Sequence, residues 1–167
     1  AYGLSALRTA LGTDFGLSTF PGLDVTGLFP VYLTGPTGFF LNFADTGENG
    51  RRKAMPTLFW LAQTFSEPFL ASVEHDMLRD EKATAQHLMW YVPRPGGQSV
   101  SPPLDYLFKG SVPVAVFRSA WSDPNALFLG IKAGYNQVNH GQLDLGNFEL
   151  DALGVRWVRD LGSDDYN

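Results

Sequence analysis

"NHGQLDLGNFELDALGVRWVRDLG", residues 139–162, decides how this chain is read. Its second half places "NFELD" and "VRWVRD" on either side of "ALG", two short runs alternating at the period of two that a strand requires, with a tight reversal between them. If residues 139–150 also run extended, His140, Gln142 and Asp144 project from one face and Leu143 and Leu145 from the other. Three polar groups then share a surface. One of them is an imidazole, whose ordinary pKa of about 6.5 suits proton exchange near neutral pH. A half-exposed strand with no chemistry gives the same alternation, so periodicity alone leaves both readings open.

Working outward toward the N-terminus, "VPVAVFRSAW" (112–121) and "ALFLGIKAG" (126–134) repeat the strand pattern and are joined by "SDPN", residues that favour a sharp turn. The C-terminal part therefore reads as an antiparallel sheet. "PRPGGQSVSPP" (93–103) breaks the composition, and the apolar period changes across it from 3.6 toward 2. We place a domain boundary there, with residues 1–100 helical and carrying a long Gly/Pro-rich connection, and residues 101–167 forming the sheet segment. The fold class is α+β.

Four helices are expected upstream. Leu4, Leu7 and Leu11 before Gly12 mark one over residues 3–12. Pro56 with Leu58, Leu61, Ala62 and Phe65 marks the second, and Pro68 with Leu70, Val73 and Met77 the third. A fourth, around residues 81–91, is expected to bury Ala85, Leu88 and Met89 before Pro93 stops it. Glu67, Glu74 and Glu81 recur every seven residues and read as a solvated face. His75 and His87 read as surface or packing residues. Between the first two helices, "PVYL" (30–33) and "FFLNF" (39–43) suggest small strands within a packed connection.

The formal charge of −5 argues against a nucleic-acid partner, since phosphate neutralisation needs clustered Lys and Arg in excess. No apolar run approaches about 18 residues, so no membrane insertion is expected. Cysteine is absent, which removes disulfides and thiolate chemistry. No His-x-His or His-x3-His pair is present, and one histidine makes no metal site by itself. "DFG" (14–16) lacks every companion of the kinase magnesium motif. "GRRK" (50–53) reads as a solvated basic loop, and Trp121 and Trp157 as core residues rather than sugar platforms. Asn139 and Arg118 are candidates to touch sugar hydroxyls or a carboxylate, with a solvent-facing strand position the equal alternative for Arg118. Both ends look abrupt, which suggests a piece of a longer polypeptide.

The run "NHGQLDLGNFELDALGVRWVRDLGSDDYN", preceded by "VAVFRSAWSDPNALFLGIKAGYN", resembles the heparinase II/III-like polysaccharide lyases. In that family an Asn-His-x-His/Gln-x-Asp-x-Gly-x-Phe segment lies early in the β domain, and an Asp-x-Gly follows one hairpin later. "LGTDFGLSTFPG" and "GPTGFFLNFADTG" look like the stretch joining the family's helical domain to its sheet. The resemblance implies the end of an (α/α) toroid followed by the first strands of an antiparallel β-sandwich, and β-elimination on an acidic, uronate-containing polysaccharide. Such chemistry needs donors on the uronate carboxylate, a base at C5 and an acid at the leaving 4-oxygen.

His140 matches the family's β-domain histidine and is the expected catalytic residue, with Asn139, Arg118 and Gln142 as substrate-binding candidates. Some members hold a structural zinc through the motif's second histidine and the later aspartate. Here those positions are Gln142 and Asp160, and an amide is a poor zinc ligand beside imidazole, so no cofactor is expected with certainty. An oxygen-rich calcium site at Asp144 or Asp160 is the lesser alternative. The family's catalytic tyrosine is expected upstream in the remainder of the same polypeptide, and Tyr2 carries no motif that assigns it the role. Family habit implies a bacterial periplasmic or secreted protein. The rival reading is a non-catalytic glycan-binding or structural module of the same fold.

Overall fold

A computed structural model describes residues 1–47, 49–96 and 101–162. The chain forms two compact units, one from Ala1–Phe29 and Lys53–Pro102, the other from Pro30–Arg52 and Pro103–Asn167. The change of unit at Pro102 falls inside the run 93–103 singled out by composition. Residues 30–52, which the sequence reading places with the helices, belong instead to the sheet unit.

In the second unit five strands follow one another as an antiparallel meander: β1 (Tyr106–Phe108), β2 (Val114–Arg118), β3 (Phe128–Lys132), β4 (Phe148–Ala152) and β5 (Val155–Val158). β1 went unread in the sequence because three residues show no period. Leu153 and Gly154 turn the chain between β4 and β5 with φ of 55° and 74°, the left-handed pair that a two-residue hairpin turn needs. "SDPN" reverses the chain as expected, with Asp123 Oδ1 accepting the Asn125 N–H at 2.8 Å.

Register pairs Val114 with Lys132, Val116 with Gly130, Arg118 with Phe128, and Gly130 with Glu149. This face is the buried one. Arg118, Lys132, Glu149 and Asp151 are buried beside Val114, Val116 and Phe128. The opposite face, with Phe117, Leu129, Ile131, Phe148, Val155 and Trp157, is apolar and has no fully buried member. Phe117, Phe148 and Trp157 are 43%, 46% and 62% exposed. The core role expected of Trp157 is thereby overturned, while Trp121 packs edge-on to Tyr32 at 4.9 Å.

Residues 30–52 form a strap that hydrogen-bonds those buried charges, while Arg156 of β5 neutralises the carboxylates. Arg156 pairs with Glu149 at 2.7 Å and Asp151 at 2.6 Å, and its guanidinium donates to Phe40 O at 2.6 Å. Glu149 accepts the Asn42 N–H at 3.0 Å, and Asp151 accepts the Thr37 hydroxyl at 2.5 Å. Close approach is possible because β3 has glycine opposite Leu41: a Cβ on Gly130 would lie 2.8 Å from Leu41 Cδ1. The strap does not form the expected strands. "PVYL" lies largely within α2 (Leu28–Tyr32), and "FFLNF" makes isolated bridges, Thr34 with Phe40 and Phe39 with Arg51.

In the first unit, α1 spans Tyr2–Leu11, α3 Thr57–Phe65, α4 Pro68–Met77 and α5 Ala85–Met89. α1 ends at Gly12 in the left-handed conformation, as the sequence suggests, but buries no residue. α3 and α4 pack together, and Leu58, Phe59, Leu61, Leu70 and Ala71 on them are buried. α5 is shorter than expected, and Ala85, Leu88 and Met89 are exposed. Its buried member is His87, whose Nε2 lies 3.0 Å from Glu74 Oε1. Glu74 also accepts the Met55 N–H at 2.6 Å, so this carboxylate is fully buried and the solvated-face reading fails for it. Among the described residues no helix is long and apolar enough to cross a membrane.

Candidate functional site

β4 begins only at Phe148, so residues 139–147 do not run extended. They form a compact turn in which His140, Gln142 and Leu143 take φ of 55°, 47° and 57°. Left-handed non-glycine residues are uncommon, and three within four positions mark a backbone held by its surroundings. Gly141 is the pivot: a Cβ there would meet Asn136 O at 2.7 Å and Val138 O at 2.9 Å. The single polar face expected of an extended segment is replaced by a buried layer and an exposed one.

The buried layer is Lys132 and Asp144. Their ammonium and carboxylate are in direct contact, and both side chains are almost wholly out of solvent. The other Asp144 oxygen accepts the Ala44 N–H at 2.8 Å, which fixes the start of the 3-10 turn Ala44–Thr46. That turn presents Asp45. The Asn147 amide donates to Asn42 O at 2.8 Å and ties the same two segments together.

The exposed layer is His140, Asp45 and Gln142. His140 Nδ1 lies 2.5 Å from Asp45 Oδ2, with the two side chains 50% and 43% exposed. Gln142 Nε2 donates to Asp45 Oδ1 at 2.5 Å. Asn139 is exposed beside His140 in the chain. Asp45 therefore brings His140 and Gln142 together, Gln142 in an internal bond, while Asn139 is only the exposed chain neighbour of His140. Sequence reading missed Asp45, which lies in the distant strap and has no motif around it.

Arg118 belongs elsewhere. It is buried, neither reaching a sugar from solvent nor facing water from the strand. Its guanidinium donates to Tyr32 O at 2.7 Å and Thr34 O at 3.3 Å and stacks 3.9 Å from the Trp121 ring. Burial lowers its pKa to about 10, and its Nε makes no hydrogen bond. Arg52 of "GRRK" is also buried, contrary to a solvated basic loop.

Asp160 does not fit a zinc ligand. Its Oδ1 accepts the Gly162 N–H at 2.6 Å and the Asn42 amide at 3.3 Å, and Gln142, which stands where the family's motif has a ligating histidine, is committed to Asp45. Among the described residues no group of three His, Asp or Glu side chains is arranged to hold a metal ion. The first unit carries a pocket of about 460 Å³ lined by Arg8, Ser18, Phe20, Asp24, Thr64 and Phe65, none of which the sequence reading placed in a site. Comparison with protein-family models finds no match, and comparison with curated protein sequences finds none either.

Proposed function

We propose that this chain is part of a polysaccharide lyase of the heparinase II/III-like kind, cleaving a uronate-containing acidic polysaccharide by β-elimination. One observation carries the reading: a half-exposed imidazole, bonded to a carboxylate, held on a strained turn over a buried Lys132–Asp144 pair. Strain of that kind concentrates where a side chain must be held against its backbone's preference. His140 is the group that exchanges a proton with the sugar or offsets its carboxylate, and Asn139, its exposed neighbour in the chain, touches the same ligand. Arg118 is left out of the substrate contacts because it is buried against Tyr32 and Trp121.

On the same reading the helices are the end of an (α/α) toroid and the meander is the first sheet of a β-sandwich. The apolar, half-exposed face of β2, β3, β4 and β5 supports this, since such a face suits a second sheet. The remaining catalytic groups, including a tyrosine, come from the rest of the polypeptide, and the protein acts in a bacterial periplasm or outside the cell.

The test is incubation of the full-length protein with a panel of uronate polymers, following the ultraviolet absorbance of the unsaturated uronate that elimination leaves. New absorbance supports the lyase. Binding without absorbance favours a glycan-binding module instead.

A further inference from the structure

We propose that Asp45 is a positioning residue for His140: it accepts a hydrogen bond from Nδ1–H of the neutral imidazole and so keeps the basic lone pair on Nε2. Its role in turnover rests on the lyase reading above; the tautomer rests on geometry alone. His140 Nδ1 and Asp45 Oδ2 are 2.5 Å apart, a hydrogen-bonding distance. An ionised carboxylate can only accept, so the hydrogen in this contact is carried by Nδ1. The other carboxylate oxygen is pinned as well, by Gln142 Nε2 at 2.5 Å.

Three features keep Asp45 in place. Asp144 holds the Ala44 N–H at 2.8 Å and thereby the turn that carries Asp45. Lys132 neutralises Asp144 from inside. Gly141 lets His140 and Gln142, on either side of it in the chain, both reach the one carboxylate from a turn with no room for a Cβ. A flexible histidine on an open strand needs none of this. A histidine side chain free in water favours the Nε2–H form, so the contact reverses the default tautomer.

The consequence is directional. Whether the ring takes the C5 proton or returns one to the leaving 4-oxygen, the exchange runs through Nε2. Asp45 then faces the Nδ1–H of the imidazolium and stabilises its charge, as the orienting carboxylate does in hydrolase triads. Gln142, rather than touching substrate, fixes the orienting group.

The experiment is heteronuclear NMR of the full-length chain carrying 15N-labelled histidine, at a pH where the ring is neutral, with the His140 signals assigned by their loss in His140→Gln. The expected result is a protonated Nδ1 and an unprotonated Nε2, reversing in Asp45→Ala and unchanged in Gln142→Ala. A wild-type ring protonated at Nε2 overturns the proposal, and that reading needs no variant to fold. In turnover, Asp45→Ala should lower kcat on the order of 10² to 10⁴-fold with KM little changed, and Asp45→Glu should recover part of it. A reversed tautomer with unchanged kcat overturns the positioning role. If the wild type cleaves no uronate polymer, the lyase reading fails, while the nitrogen signals still decide the tautomer.

Discussion

His140 and Asp144 lie on one turn, yet one meets solvent and the other is buried against Lys132. The difference follows from partners: a carboxylate leaves water only where a cation and an N–H replace it, and Lys132 with the Ala44 N–H do so. Glu149 is the costlier case. Burial raises its pKa above the ordinary value of 4.5, outweighing the opposing effect of Arg156. A carboxyl raised in the folded state binds its proton more tightly there than when unfolded. Its contribution to stability is therefore fully present below pH 4.5 and is lost as pH rises through the folded value. Urea unfolding of wild type and Glu149→Gln across that range should show the wild type losing stability relative to the variant as pH increases; parallel curves would refute it. His140 was legible in the sequence because its motif is local. Asp45 was not, because its meaning comes from contacts between the strap and a turn far along the chain, and Glu74 was misread because a seven-residue spacing says nothing of the Met55 N–H and His87 that meet it.

At the scale of elements, β2, β3, β4 and β5 were readable because alternation fixes a strand whichever face is buried. Which face was not readable. Polar residues ordinarily mark the wet side, but here Lys132, Glu149 and Asp151 lie under the strap, and Phe148 and Trp157 lie outside. The strap itself escaped the reading because its Gly and Pro content signals a connection. What it does depends on Arg156, which bridges two buried carboxylates and the carbonyls of Phe39 and Phe40. Removing one member of such a network leaves uncompensated buried charge. Arg156→Ala should therefore lower unfolding stability by about 3–5 kcal/mol in denaturant titration. A loss no larger than that of an exposed ion pair would mean the strap is held by packing alone.

For the molecule as a whole, the uncovered sheet face sets the behaviour of the 167-residue chain in solution. Contiguous apolar surface beyond a few hundred Å² drives association or binds apolar probes. The chain should bind a hydrophobic dye and associate with rising concentration in analytical ultracentrifugation, and Phe148→Lys with Trp157→Lys should reduce both. A monomer that binds no dye would argue against a second sheet belonging on that face. The helical unit was legible in its helix positions, yet not in its burial, since α1 and α5 present apolar residues to solvent. The proposed lyase activity requires the His140 ring to exchange protons with a bound sugar. Its most direct test is elimination by the full-length protein and by His140→Ala on the same uronate polymer. Loss of rate on the order of 10² to 10⁴-fold in a folded variant is the predicted result, and equal turnover by the two proteins would contradict it.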